Sequence, residues 1–200
     1  LSAVVNKANS LSLTLTSYER DKNRLVSEKA AAADLYLVQK EAAEVLFNAA
    51  SSIQHTVEKT MQKLVNLALK DVCPETGYSF ECEFVNQKTT TVLEMYLVRD
   101  GERYDPMESC GYGIVDIVCF ALRVSMLWLQ SSASKILILD EPFRQVSEMY
   151  RPRLSSFLKS VCADTGIQII MVTHIPELAD GADHVIHVKM ADGKSKVQYG

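Results

Sequence analysis

Apolar residues recur at alternating spacings of three and four through the first third of the chain. Leu35, Val38, Ala42, Val45, Ala49, Ile53, Val57, Thr60, Leu64 and Leu67 fall on one helical stripe, preceded by a weaker set at Leu11, Leu15, Tyr18, Leu25 and Ala32. From Leu11 to about Leu69 there is no Pro or Gly, and Ala, Leu, Glu, Lys and Gln predominate, so one long helix is expected. The stripe reads as a coiled-coil seam. Lys22 and Lys29 fall on its early part, which puts a stutter near residue 33. At 1.5 Å per residue about sixty residues would reach roughly 90 Å, more than a domain of this size is wide. A surface helix of a bundle is the alternative, but nothing else in the chain supplies the other helices.

After Asp71-Val72-Cys73-Pro74 the period changes to two. Tyr78, Phe80, Cys82 and Phe84 alternate with polar residues, and a second extended run from Thr89 to Val98 follows an Asn86-Gln87-Lys88 turn. This predicts a β-hairpin, closed by Asp100-Gly101, with an irregular link through Pro106. Ile114 to Leu129 is apolar on nearly every face and reads as a helix buried on most of its surface. Lys135 to Asp140 is a continuous apolar strand, Ser147 to Ala163 a polar helix, and Ile167 to Val172 a second apolar strand. Strand, helix, strand with uniformly apolar strands predicts a βαβ unit in a parallel sheet covered on both faces. Asp183 to Met190 adds a strand, and Val197 to Tyr199 a last one.

Composition narrows the function classes. In 200 residues, 21 Lys+Arg against 25 Asp+Glu give a net charge of -4, so any DNA contact has to be local. The run from Gly113 to Leu129 is interrupted by Asp116 and Arg123 and falls short of the roughly 20 residues of a membrane span. Cys73, Cys82, Cys110, Cys119 and Cys162 form no C-x-x-C pair and read as reduced, buried small hydrophobes of a cytosolic protein. His184 and His187 lie without a carboxylate or thiol at ligand spacing, so a structural role is expected of them rather than a metal site.

The chemistry gathers where strands end. In open α/β sheets ligands sit beyond the carboxyl ends of strands, and those ends carry Asp140, Glu141 and His174. Carboxylates directly after four aliphatic residues call for a cation or a hydrogen-bond network. Magnesium with a bound phosphate meets that need, Asp140 holding the metal through water and Glu141 orienting and deprotonating the attacking water. Ser109-x-Gly111-x-Gly113 precedes the apolar helix. Glycines there let backbone approach an anion, Ser109 can donate a hydrogen bond, and first-turn amides favour negative charge, as a γ-phosphate would supply. An ordinary serine-capped glycine turn fits the same residues. His174 reads either as a satisfied core histidine or as a neutral imidazole bonding a phosphate oxygen.

In order, ESCGYG before the apolar helix, KILILDEPF, and IIMVTHIPEL followed by ADHVIHV resemble the signature motif, Walker B, D-loop region and switch histidine of an ABC-type ATPase head. With the coiled coil on the amino-terminal side, essentially the whole chain resembles the carboxyl half of an SMC-like ATPase of the DNA double-strand-break-repair and recombination type, phage and prophage members included. The resemblance implies an α/β fold: the carboxyl-terminal lobe of an ABC-type P-loop ATPase head, a mostly parallel sheet with flanking helices plus a β-hairpin. It divides the chain into an arm helix, 1–70, and a head lobe, 71–200. It implies ATP and Mg2+ as cofactors and hydrolysis between two heads. Ser109 and Gly111 would contact nucleotide across the dimer, Asp140 and Glu141 would be the Walker B pair, and His174 the switch histidine. It further implies an amino-terminal ATPase lobe as companion, DNA and a nuclease as partners, no membrane, and a place in the cytoplasm or on the nucleoid.

The chain departs from the pattern in two places. Tyr112 and Gly113 stand where the signature has a small residue followed by Gln, Glu or Lys, and Val146-Ser147 where a D-loop reads leucine then aspartate. The expected alternative to an ATPase is a catalytically silent head whose coiled coil serves as a dimerisation or scaffold arm. Arg144 and Arg151 are read equally as solvated helix charges or partner contacts. Gly193-Lys194-Ser195 fails as a P-loop, because Val188 takes the place of the first glycine and only five residues follow Ser195. The expectation is a fragment beginning inside a returning arm, or one polypeptide of a split head, that alone binds ATP weakly or not at all.

Overall fold

A computed structural model describes residues 2–88, 90–130, 134–191 and 193–199. The chain divides into two compact units, Leu1–Ile53 and Gln54–Gly200. The first is a single stretch of the helix α1, Ser2–Val72. It begins nine residues before the expected start, because no Pro or Gly interrupts the chain from Ser2 onward. Seam residues Leu35, Val38, Val45 and Ile53 are all exposed on it.

In the second unit, α1 buries Met61, Val65, Ala68, Leu69 and Val72. The expected stripe therefore misplaces the buried face at this end: Leu67 is exposed and Leu64 only half-buried. The face is chosen by the core it meets. The helix stops where Cys73 leaves helical geometry (φ -136, ψ 55) ahead of Pro74.

Strands β1 (Ser79–Gln87), β2 (Thr90–Arg99) and β3 (Glu102–Tyr104) form an antiparallel meander in that order. Phe80 lies opposite Leu97, which lies opposite Tyr104. Asn86 and Gln87, read as turn, lie within β1; Thr89 is outside the described residues. Asp100 (φ 54) and Gly101 (φ 82) form a two-residue hairpin loop into β3, where an irregular link was expected. A short helix α2, Pro106–Ser109, follows, capped by Asp105, whose Oδ1 accepts from Met107 N at 2.7 Å.

The apolar helix is α3, Tyr112–Leu129. At 18 residues with mean hydropathy 1.7 it is long and apolar enough to cross a membrane by length and composition. Here it is a core helix, burying Ile117, Val118, Phe120, Ala121, Val124 and Ser125. Its burial is one-sided rather than on most faces, since Met126, Trp128 and Cys119 are exposed.

Strands β4 (Ile136–Asp140) and β5 (Gln168–Val172) pair in parallel, Leu139 opposite Met171 and Asp140 opposite Val172. The helix α4, Arg151–Thr165, connects them and ends on Gly166 at φ 67, whose N–H caps Cys162 O. This is the expected βαβ unit, but it is covered on one face. Leu137, Leu139, Ile169 and Met171 turn toward the core, whereas Ile138 is 73% and Val172 61% exposed. Uniformly apolar strands signalled cover on both faces; within this chain α3 and α4 join the core on one side only. A short helix α5, Pro176–Ala179, leads to the antiparallel hairpin β6 (Ile186–Ala191) and β7 (Lys194–Tyr199). Among the described residues the parallel part of the α/β lobe is thus two strands, and the other ladders are antiparallel. Gly193, at φ 72, is the hairpin turn between β6 and β7, which accounts for the glycine before Lys194 without a phosphate.

One hydrophobic core joins the end of α1, β1, β2, α3, β4, α4 and the loops after β4 and β5. Phe143 is an anchor within it, edge-on to Phe120 at 5.2 Å.

Candidate functional site

The parallel ladder carries three polar groups to one end. β4 delivers Asp140, and the ladder runs one residue further, because Glu141 N donates to Val172 O at 2.8 Å. The chain then turns sharply. Glu141 (φ 44) and Phe143 (φ 65) are both left-handed, an unfavourable conformation for residues with side chains, and they flank Pro142. Burial of Phe143 and the Val146 N to Phe143 O hydrogen bond of 3.0 Å hold the turn in place. On the neighbouring strand, Thr173 Oγ1 accepts from Ile175 N at 3.1 Å, and Ile175 is buried, so the backbone on either side of His174 is fixed.

The two turns bring His174 Nδ1 to 2.5 Å from Glu141 Oε2. An ionised carboxylate only accepts, so Nδ1 carries the shared proton and a neutral ring keeps Nε2 as an acceptor. The pair is open to solvent on one side, the side chains being 66% and 39% exposed. Asp140 is exposed, and its carboxylate has no hydrogen-bond or ion-pair partner among the described residues. An unpaired carboxylate beside a carboxylate–imidazole pair can accept a cation on one side and a proton on the other.

The glycine turn is built differently from its expectation. Gly111 caps α3 at φ -64, ψ 138, and its carbonyl accepts from Ile114 N at 2.9 Å. A methyl group there would meet nothing within 4 Å, so the fold of this chain does not itself demand glycine. Gly113 is the opposite case. A Cβ would lie 2.6 Å from Gln145 O and 3.1 Å from Val146 Cα. Its bareness admits the loop that follows Glu141, a packing reason for glycine at this position. Asp116 completes the clasp, its Oδ2 accepting from Gln145 N at 3.3 Å. Ser109 ends α2, and its side chain lies outside the described residues.

The structure therefore joins Glu141 and His174 directly, leaves Asp140 next to Glu141 at the end of β4, and ties the glycine turn to the loop beyond Glu141 rather than to the carboxylate. Asp116 was legible only as an interruption of an apolar run; a carboxylate in a buried helix was the signal that it has a partner. Arg151 proves to be half-buried, donating to Val146 O at 3.4 Å, so it is not a freely solvated helix charge. Arg144 is exposed. Arg153 Nη1 lies 2.6 Å from Glu75 Oε1 and holds that carboxyl below its usual range.

His184 and His187 are both exposed, which removes the structural role expected of them, and the described residues hold no group of three metal-ligating side chains. Of the cysteines, Cys73 and Cys82 are buried and Cys110 and Cys162 half-buried, but Cys119 is exposed, because it sits on the open side of α3. Burial raises the thiols of Cys73, Cys82 and Cys162.

No protein-family model matches the chain. It is 29% identical over 121 residues to the DNA double-strand break repair Rad50 ATPase of Thermoplasma acidophilum, an alignment covering 60% of this chain and 13% of that protein. It spans between 9% and 14% of the length of the Rad50 relatives it matches. These relatives lend no support to a phage source. A solved structure concerned with ATP-driven dimerisation and DNA-stimulated activation of SMC ATPases superposes with a TM-score of 0.57 at 18% identity, covering 74% of this chain and 88% of that one. An SMC head bound to the C-winged helix domain of ScpA superposes with a TM-score of 0.61, also at 18% identity, covering 76% of this chain and 44% of that one. The fold is that of the carboxyl-terminal lobe of an SMC/Rad50-type ABC ATPase head, and the sequence relatives support the same type.

Proposed function

We propose that the complete protein hydrolyses ATP between two such heads and uses the cycle to act on DNA in repair or recombination. The observation that carries this reading is the His174–Glu141 hydrogen bond beside an Asp140 carboxylate that no described residue engages. Exposed oxygen donors of this kind suit magnesium, so the residues fit the cofactor. Asp140 would hold it, through water. Bound there, the metal would neutralise phosphate charge.

Glu141 accepts the proton of the water that attacks the γ-phosphorus as the bond to the ADP oxygen breaks. His174, bonded to Glu141 through Nδ1, orients that carboxylate toward the attacking water. Ser109 and Gly111 serve the nucleotide of the opposite head, and the uncovered face of Ile138 and Val172 suits a companion amino-terminal lobe. Residues 1–70 act as the arm. DNA, and a nuclease where one is present, are engaged by the assembled protein, in the cytoplasm or on the nucleoid.

The deciding experiment is Glu141→Gln in the complete protein. ATP turnover should fall by at least about 100-fold while ATP is still bound and the engaged dimer accumulates; unchanged turnover overturns the assignment. A gel shift that weakens with salt tests DNA binding. A second reading, a silent head serving as scaffold, is favoured by the exposed Tyr112 in the signature region and by Val146-Ser147 in place of the usual D-loop pair. Wild-type turnover separates the two.

A further inference from the structure

Arg151 opens α4 and reaches back across the loop that precedes it. Its Nε donates to Val146 O at 3.4 Å, and its Nη1 lies 3.8 Å from Glu148 Oε1 and 3.9 Å from Glu177 Oε1. With 20% of the side chain exposed, the guanidinium is enclosed by these partners. Val146 closes the loop that begins at Glu141. Glu177 stands in the first turn of α5, the helix that follows His174. The other Glu177 oxygen, Oε2, is buried without a hydrogen-bond partner among the described residues, so the charge of that carboxylate is met by Arg151.

We infer that Arg151 is a positioning residue: by tying the loop after Glu141 to the helix after His174, it sets the separation across which those two side chains bond. The inference rests on the ATPase reading above for its effect on turnover, but not for its effect on the pair. A planar guanidinium suits the task because one group addresses a carbonyl and two carboxylates at fixed angles, which an ammonium cannot reproduce. Neither neighbouring arginine substitutes for it. Arg153 is engaged with Glu75, and Arg144 is exposed.

The complete protein with 15N-labelled histidine tests this, the His174 ring being assigned by His174→Ala. In Arg151→Gln the His174 ring nitrogens should move toward the shifts of free imidazole while those of His55, His184 and His187 keep theirs. Glu177→Gln, which removes the same ion pair from its more exposed side, should do likewise, and it carries the test if Arg151→Gln fails to fold. In turnover, Arg151→Gln should lower kcat by roughly tenfold, leave KM for ATP unchanged, and add nothing in a His174→Ala background; Arg151→Lys should restore only part. Unchanged His174 shifts, or losses that multiply in the double variant, overturn the positioning role. A wild-type protein without turnover would overturn the ATPase reading, and the ring shifts would still decide what Arg151 does.

Discussion

Asn66 on α1 makes a two-point contact with the backbone of Phe80 on β1: its Nδ2 donates to Phe80 O at 2.9 Å, and its Oδ1 accepts from Phe80 N at 2.7 Å. One turn earlier Gln62 Nε2 donates to Cys82 O at 2.7 Å, and one turn before that Glu58 Oε1 accepts from Phe84 N at 2.7 Å. β1 is an edge strand of its sheet, and three polar side chains at helical spacing bond along its open edge. Asn66→Leu should therefore destabilise the lobe by about 2 kcal/mol, since two backbone groups lose their partner. Urea denaturation measures the loss, and hydrogen exchange should localise it to the Phe80 amide. Unaltered protection of that amide would show that the contact does not form.

Gly113 and Gly111 should separate under the same substitution. Gly113→Ala drives a methyl group into Gln145 O and should destabilise by about 1–3 kcal/mol, the range for overfilling a packed site. Gly111→Ala meets open space and should leave the denaturation midpoint nearly unchanged. Equal effects at the two positions would contradict the close approach of the loop to α3.

The Glu75–Arg153 contact sets a pH dependence. The hydrogen bond from Arg153 lowers the Glu75 carboxyl from its usual value of 4.5, so its contribution is present above the unfolded value and is lost as pH falls through the folded one. Wild type should be more stable than Arg153→Gln near about pH 7, the difference shrinking as pH falls below the usual carboxyl value and vanishing once Glu75 is protonated in the folded protein, with a smaller difference in high salt because the pair is solvent-exposed. A stability difference that persists in acid would place the effect elsewhere.

Thiol chemistry should follow burial. Cys119 is exposed and should react first with a disulfide reagent at neutral pH. Cys73 and Cys82, buried and with raised thiols, should react only when the lobe unfolds. Mass spectrometry of partially labelled protein reads the order, and early labelling of Cys82 would contradict its place under α1.

The parts legible in the sequence are those where one local rule acts alone. The long helix follows from the absence of Pro and Gly, β1 from the alternation of Phe80 and Cys82 with polar neighbours, and β4 and β5 from short aliphatic runs ending in polar groups. Asp100-Gly101 carried a hairpin signal, but β3 is only three residues long and has little pattern of its own. Contacts between distant segments left weaker traces. Glu58, Gln62 and Asn66 look like solvent-facing helix positions until β1 is laid beside them. Arg151 looks like any surface arginine until α5 is in place. The buried face of α1 was misplaced for the same reason, since Val65 and Leu69 rather than Leu67 meet the core. At the site, Asp140, Glu141 and His174 stood out as polar groups closing apolar strands; the hydrogen bond between the last two depends on a ladder register that single segments do not carry.

The turn after β4 makes the aim of an exposed carboxylate depend on a ring sunk in the interior. Two residues in an unfavourable backbone region bracket Pro142, and Phe143, only 2% exposed, is the peg that keeps them there. Trimming Phe120, its edge-on neighbour, would let the peg rock in its socket, and the loop would relax before the lobe melts. Damage inside the aromatic cluster would thus surface first as a blunted outer rim.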